Sequence, residues 1–147
     1  MKASVTARLT IAASPSEVFV YLSKLKYHTL WNPQLQRVWP HKTLRLGSKY
    51  TSESILLGVK VTAHNTVTAY AKDRKIELKN DTGILHYLVN YKLEPKGKKT
   101  LVICNTEVSS DRNSFRLAAP MLRLLARREI QTDLHLLRLI VEENLTA

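Results

Sequence analysis

Hydrophobic and polar residues alternate along residues 4–11, which is the pattern of a strand with one buried face. A helix is predicted directly after it, because Ser14 can cap an N-terminus and Pro15 suits the first helical position. Glu17 then stands where a capping box places its carboxylate. Apolar residues recur at helical spacing behind this start, so the helix is expected to bury one face.

A short second helix or turn is predicted over Tyr27 to Leu30. It ends at Asn32, because the residue before Pro33 disfavours helix. From Leu35 to Ser109 the pattern is that of strands, with runs at about 48–56, 59–71, 75–80, 84–94 and 99–109. Parallel neighbours need a crossover of a dozen or more residues, and these connections are shorter, so the strands are expected to pair antiparallel.

Two of the strand runs carry a continuous apolar face. On the first run it consists of Val59, Val61, Ala63, Val67 and Ala69. On the second it consists of Leu85, Tyr87, Val89, Tyr91 and Leu93. The opposite faces are polar, so one face of the sheet is expected to meet water and the other must be covered.

The last segment is predicted to be helical to about Glu143, with Pro120 either opening the helix or kinking it. Its apolar arc consists of Leu122, Ala126, Ile130, Leu137, Ile140 and Val141, extended by Leu125 and Leu136. A helix of about 25 residues is roughly 38 Å long, enough to lie across a curved sheet but not to fill its concave side. A hollow between helix and sheet is therefore expected.

These elements define an α+β fold of one domain over residues 1–147. A curved antiparallel sheet of about seven strands wraps around a long C-terminal helix, and two short helices follow the first strand. No apolar run reaches the ~18–20 residues of a membrane span, and Arg8 interrupts the start before a signal-peptide core forms, so a cytoplasmic location is expected. The single cysteine, Cys104, is expected to be a small buried hydrophobe in a strand.

The formal net charge of +11 is unevenly distributed, since no acid lies between Glu17 and Glu53. Basic residues cluster in that stretch, around Lys92–Lys99, and over Arg112–Arg128. Such an excess attracts anions, including phosphate backbones, anionic lipid head groups or an acidic ligand. A plain solvated surface is the alternative explanation.

The segment Ala13–Phe19, followed by Tyr27–Val38, resembles the N-terminal signature of the START-like helix-grip superfamily. More narrowly, it is similar to the polyketide cyclase/dehydratase-like branch. The family's expected order continues with Leu46–Tyr50, Leu57-Gly58, Tyr91–Pro95 and Asp133–Glu142. The resemblance covers nearly the whole chain and implies an elongated pocket between sheet and helix. Its members include lipid and sterol carriers, hormone binders and aromatic cyclases, so it does not decide between carrier and enzyme.

Candidate pocket residues come from the inward faces of these elements. Trp31 could form a wall of the pocket or only close the end of the barrel by packing. Tyr87 and Tyr91 share an inward face, where Tyr50 and Thr106 can join them. Their hydroxyls would either orient a polar group of a ligand or bond to nearby backbone.

The C-terminal helix contributes Leu122 and Ala126 to the expected lining, together with two carboxylates one turn apart. Glu129 and Asp133 interrupt the apolar arc. In a closed pocket they would share a raised pKa and could act as acid or base. Alternatively they pair with arginines at the edge of the arc or with strand lysines.

No metal or cofactor is expected. The five histidines lie on different elements, and no His-x-x-x-His or Cys-x-x-Cys spacing is present. A nucleophile elbow and a glycine-rich phosphate loop are also lacking, so the commonest hydrolase and nucleotide-binding classes do not fit.

The leading hypothesis is a protein that binds, and could transport, a small hydrophobic or amphipathic molecule between sheet and helix. The basic surface suggests that the guest carries an anionic head or that the mouth docks on an anionic membrane. The second hypothesis is a cyclase- or dehydratase-like enzyme that uses polar groups of the pocket. A role on nucleic acid ranks last because only the charge supports it.

Overall fold

One antiparallel sheet of seven strands forms the frame of the computed structural model, which describes residues 2–56, 59–83, 85–110 and 119–146. The strands are β1 (Lys2–Ile11), β2 (Leu35–Trp39), β3 (Lys49–Leu56), β4 (Val59–Ala71), β5 (Lys75–Asn80), β6 (His86–Lys96) and β7 (Lys99–Ser109). Their order across the sheet is β1-β7-β6-β5-β4-β3-β2. Each predicted run agrees with its strand to within two residues at either end. Leu57-Gly58, Arg112 and Arg116 lie outside the described residues.

The helices are α1 (Pro15–Ser23), α2 (His28–Trp31) and α3 (Ala119–Thr146), and a 3-10 turn at Leu25–Tyr27 connects the first two. The predicted cap of α1 is confirmed, because the Ser14 hydroxyl oxygen accepts a hydrogen bond from the Glu17 backbone nitrogen at 3.3 Å. Pro120 lies in the first turn of α3 as described, where its missing N–H has no intrahelical partner to lose.

The core lies between the concave face of the sheet, α1 and α3. Fully buried side chains come from every layer, including Ile11, Ile76, Leu93 and Val102 of the sheet, Val18 and Leu22 of α1, and Leu134, Leu137 and Val141 of α3. Leu134 was not part of the predicted apolar arc, although Ile130, Leu137 and Val141 of that arc are buried. The helix-grip architecture is therefore confirmed.

A bulge in β4 changes which side chains face the core. Two consecutive residues, Thr68 and Ala69, stand opposite Glu77, because the register shifts between Val67 and Ala69. Such an extra residue reverses the alternation beyond it. The prediction that Ala69 belongs to the inward face is therefore wrong. Tyr70 takes that place instead.

The inward position of Tyr70 follows from its neighbours. It pairs with Ile76, which is fully buried, and its ring meets the edge of Phe19 with centroids 5.6 Å apart. The bulge thus places the Tyr70 ring in contact with α1, whereas strict alternation would have turned that ring toward solvent.

A tight turn at Lys72-Asp73-Arg74 connects β4 and β5. Asp73 has φ of 61°, in the left-handed region that aspartate tolerates better than most residues. The β6–β7 turn places Gly97 in the same region with φ of 62°, where a side chain would strain the backbone. Both hairpins therefore rest on residues suited to the conformation.

Candidate ligand-binding cavity

A cavity of about 170 Å³ lies between the concave face of the sheet and α3, and it is partly open to the exterior. Its lining comes from α2, from β2, β3, β5, β6 and β7, and from the middle of α3. A closed apolar cavity of about 150 Å³ is large enough to hold benzene. The enclosed part of this cavity therefore matches one aromatic ring with small substituents.

The structure brings nearly all of the predicted site residues to this cavity. The lining includes Trp31, Tyr50, Tyr87, Tyr91, Thr106, Ala126, Glu129 and Asp133. Leu122 is the exception, since it is buried but is not among the lining residues. It lies one turn before Ala126 on α3.

Trp31 is both a structural residue and a wall of the cavity. Its side chain is 2% exposed, and its indole Nε1 donates a hydrogen bond to the Tyr21 carbonyl oxygen at 3.0 Å. Its ring meets that of Tyr91 nearly at right angles, with centroids 5.7 Å apart. Both interpretations offered by the sequence therefore apply to Trp31, because the hydrogen bond to Tyr21 fixes the indole ring while one side of that ring borders the cavity.

The Tyr87 hydroxyl takes part in a small network of side-chain hydrogen bonds. It donates to the Asn65 amide oxygen, and the Asn65 amide nitrogen donates to the Ser52 hydroxyl at 2.9 Å. Asn65 is 1% exposed, so this network is shielded from water. Burial raises the pKa of Tyr87 to about 12, against the lowering effect of its bonds to Ser52 and Asn65. The hydroxyl therefore stays protonated and fixed in direction.

The other two tyrosines of the lining are also neutral. Burial raises the pKa of Tyr50 and of Tyr91 well above the usual value of a phenol. Tyr91 contacts Cys104, whose pKa burial raises to about 12. Cys104 is thus the buried, unreactive thiol that the sequence predicted.

Asp133 is the most perturbed acid of the cavity. It is 8% exposed, and within the described part of the chain its Oδ1 has no hydrogen-bond partner. Burial and, secondarily, the charge of Glu129 raise the pKa of Asp133 to about 8. Burial also raises the pKa of Glu129. No lysine or arginine among the described residues forms a salt bridge with either acid, so they share the pocket as the first alternative predicted.

His28 lines the cavity and was not predicted to do so. Its Nε2 donates a hydrogen bond to the Leu22 carbonyl oxygen at 2.8 Å, because a carbonyl can only accept. Burial lowers the pKa of His28 to about 4, so the ring is neutral and Nδ1 carries a free lone pair. The sequence could have indicated this position, because His28 lies three residues before Trp31 and therefore on the same face of α2.

Further lining residues were also missed by the sequence interpretation. They are Asn32, Gln34, Leu35, Ser52, Ser54, Leu78, Val89, Val108 and Ile130. Alternation along β3 could have indicated the two serines, because they follow Tyr50 at intervals of two. Asn32 lies outside any regular element, and its buried Oδ1 has no hydrogen-bond partner within the described residues.

The charge inside the cavity has the opposite sign to the charge of the chain. The described lining residues include Glu129 and Asp133 but no lysine or arginine, whereas the chain carries a net charge of +11. Among the described lining residues no cation is placed to receive the anionic head that the basic surface suggested, so the expectation of such a guest stays a prediction.

A sequence model described as "polyketide cyclase / dehydrase and lipid transport" matches residues 2–142. The chain belongs to this family. No curated protein matches the chain. The cyclase/dehydrase resemblance seen in the sequence is thereby confirmed.

Several solved protein structures have the same fold as this chain. A protein from Thermus thermophilus is 15% identical with a TM-score of 0.83, covering 96% of this chain and 98% of that one. A START superfamily protein from Mycobacterium smegmatis is 18% identical with a TM-score of 0.81, at 95% and 97% coverage. The Zhui aromatase/cyclase from Streptomyces sp. R1128 is 15% identical with a TM-score of 0.83, at 99% and 96% coverage. These identities establish the fold alone.

Two further features bear on what this cyclase/dehydrase family member can hold. Among the described residues, no group of three His, Cys, Asp or Glu side chains is placed to hold a metal ion. In the same residues, no helix is both long and apolar enough to cross a membrane.

Proposed function

We propose that the protein binds one small, largely apolar molecule in the cavity between the sheet and α3. The observation that carries this proposal is a carboxyl oxygen of Asp133 that is buried without a partner among the described residues, in a cavity with mainly apolar walls. Buried polar atoms almost always have partners, so an orphan at a cavity wall supports a polar ligand group at that point. The rings of Trp31 and Tyr91 would contact the apolar body of the guest.

The size of the cavity limits the guest. Ligand pockets commonly span about 300–1,000 Å³, and the 170 Å³ here is smaller. We therefore expect a guest of one ring to be enclosed, and a longer guest to extend through the open side. In that case the protein would act as a carrier of the longer molecule.

Fluorescence of Trp31 tests the proposal most directly. In a Trp39→Phe variant the remaining indole borders the cavity, so a bound aromatic probe should change its emission saturably. Native mass spectrometry of protein purified without detergent should reveal any co-purified guest. A protein that is empty in the spectrometer and unresponsive to aromatic and aliphatic probes would contradict the proposal.

A matched pair of substitutions separates binding in the cavity from adsorption on the surface. Ala126→Phe fills the cavity from α3 and should abolish the response to the probe. Ala71→Phe adds the same side chain at an exposed position of β4 and should leave the response unchanged. Equal effects of both would place the probe elsewhere.

The second candidate function is a cyclase- or dehydratase-like enzyme, and the state of Asp133 favours it. A carboxyl group with a pKa of about 8 is largely protonated at neutral pH, which suits a general acid. It could protonate a carbonyl oxygen or a leaving hydroxyl of a substrate folded in the cavity. If Asp133→Asn binds the guest but stops its conversion, the enzyme function is supported; conversion at the same rate would exclude it.

We also propose an anionic membrane surface as a partner. At the start of α3, Met121 and Leu124 are 66% and 57% exposed, beside three exposed arginines, Arg123, Arg127 and Arg128. Exposed apolar side chains among basic residues suit the boundary of an anionic bilayer. Because Ala126 on the same helix lines the cavity, a docked membrane would lie near the guest.

A further inference from the structure

We propose, presupposing the binding function above, that the guest is a protonated organic amine carried on an aromatic body, with its ammonium group placed at Asp133. The cavity combines two acids with four aromatic side chains and, among the described lining residues, no lysine or arginine. An anionic guest would meet two acidic side chains there and no cation among the described lining residues. A cationic guest would meet groups suited to it.

The polar atoms that lack partners are predominantly acceptors. The Asn32 amide oxygen and Asp133 Oδ1 are both buried without a hydrogen-bond partner among the described residues. His28 lines the same cavity with Nδ1 unprotonated, because its Nε2 carries the ring proton and donates it to Leu22. A guest must therefore supply donors. An ammonium group carries up to three, whereas an alcohol or a phenol carries one.

The aromatic walls also favour a cation. Trp31, Tyr50, Tyr87 and Tyr91 border the same space. The faces of indole and phenol rings attract cations, most strongly where water is excluded. The same rings would pack on the aromatic body of the guest, so one set of residues serves both halves of the molecule.

Binding of the amine should displace a proton from Asp133. The titratable groups whose charges interact with this carboxyl are Glu129 on its own helix, Tyr91 on β6 and Cys104 on β7, and none of them is cationic. The free protein therefore holds Asp133 largely as the neutral acid at pH 7. An ammonium beside it favours the carboxylate, and the released proton goes to the solvent.

The positive charge of the protein surface does not prevent an ammonium group from binding inside the cavity. Charges separated by more than about 8 Å are largely screened at 0.15 M salt, whereas groups within the cavity interact directly. The net charge of +11 should slow the approach of a cation at low salt. Faster association of the amine with increasing salt is thus an expected signature.

Three probes of matched size but different charge provide the test: 2-phenylethylamine, 2-phenylethanol and phenylacetate. Binding is followed by Trp31 emission in the Trp39→Phe background and by calorimetry. We expect the amine to bind at least about tenfold more tightly than the alcohol, with the acid weakest, since tenfold corresponds to about 1.4 kcal/mol. In Asp133→Asn, a neutral isostere, the amine should lose this advantage while the alcohol binds as before.

Proton release gives a second readout that a packing role of Asp133 would not produce. Calorimetry at pH 7 in two buffers of different ionisation enthalpy should show release of about 0.9 proton per amine bound, given a group titrating near pH 8. The alcohol should release none. Asp81→Asn, which removes an exposed carboxylate, serves as the charge-matched control and should change neither result.

The outcomes separate this proposal from the binding function. If the alcohol or the acid binds as tightly as the amine, the amine assignment is overturned while binding in the cavity stands. If none of the three probes binds, either to the original protein or to Ala126→Phe, both proposals fail.

Discussion

The imidazole Nε2 of His28 donates a hydrogen bond to the carbonyl oxygen of Leu22, 2.8 Å away, across the junction between α1 and α2. The ring also packs against Trp31, with centroids 5.0 Å apart. One side chain thus satisfies a carbonyl near the end of α1 and supports an aromatic wall of the cavity. Burial favours the neutral form of the imidazole, although the hydrogen bond to Leu22 on its own would favour the charged form.

The first prediction concerns acid stability and His28. Burial lowers its pKa to about 4, so the unfolded chain binds more protons than the folded protein between about pH 4 and 6.5, and stability falls as pH falls through this range. The full effect is roughly 3 kcal/mol at 1.36 kcal/mol per pKa unit. Urea unfolding should therefore show the original protein losing stability relative to His28→Gln, by roughly 2 kcal/mol, as the pH falls from 6.5 to 5. His41→Gln, at an exposed site, should retain the original slope.

Asp133 should have the opposite dependence on pH. Its pKa is raised to about 8, so the folded protein binds the extra proton from about pH 4 to 8, and stability falls as pH rises. Between pH 5 and 7 this amounts to roughly 2–3 kcal/mol. Asp133→Asn should remove that loss and be the more stable protein at pH 8. A variant that is no more stable at pH 8 than the original would contradict the buried, unpaired state of this acid.

A third prediction tests the polar network behind Tyr87. Asn65→Ala leaves the Tyr87 hydroxyl without its acceptor in a buried site, so we expect a loss of about 2–3 kcal/mol in the free energy of unfolding. Adding Tyr87→Phe should recover part of it, since the unpaired hydroxyl is then gone. Asn105→Ala removes an exposed hydrogen bond to Thr6 and should cost about 0.5 kcal/mol. Equal losses for the two alanine variants would exclude the network as a stabilising unit.

The fourth prediction concerns membranes. Replacing Arg123, Arg127 and Arg128 by glutamine should weaken co-sedimentation with phosphatidylserine-containing vesicles at least about tenfold, because each basic residue near an anionic surface contributes about 1 kcal/mol. The matched control replaces Lys96, Lys98 and Lys99, which lie exposed near the β6–β7 turn and carry the same total charge. A similar loss in both triple variants would mean that net charge alone, and not α3, drives the association.

Much of the fold could be predicted because its elements follow local patterns. Period-two alternation placed most of the strands, and Ser14 with Pro15 placed the start of α1. The β4 bulge was not visible, because Thr68 and Ala69 do not interrupt the alternation of apolar and polar residues. Whether a strand gains an extra residue depends on how it pairs with the neighbouring strand. Here that pairing, with Ala69 opposite Glu77 and Tyr70 opposite Ile76, exists only in the assembled sheet.

The candidate cavity was predictable where a regular element fixes the direction of a side chain. Tyr87 and Tyr91 follow from the alternation of β6, and Asp133 follows from the helical position of the acid within an apolar arc. His28 and Asn32 were missed, because a helix of four residues and an irregular segment give too short a pattern to assign a face. Asn65 was missed for another reason: a buried amide is acceptable only if distant partners satisfy it, and those are Ser52 and Tyr87.

The rotational setting of α3 determines the sign of the electric charge enclosed by the domain. Glu129 faces the guest space while the adjacent Arg128 faces outward, and consecutive residues differ by about 100° around a helix axis. Turning this segment by a single step would bring Arg128 to the place of Glu129, Glu129 to that of Ile130 and Thr132 to that of Asp133. Within this architecture, a shift in helical phase therefore suffices to replace an acidic interior by an electrically balanced one without altering any strand.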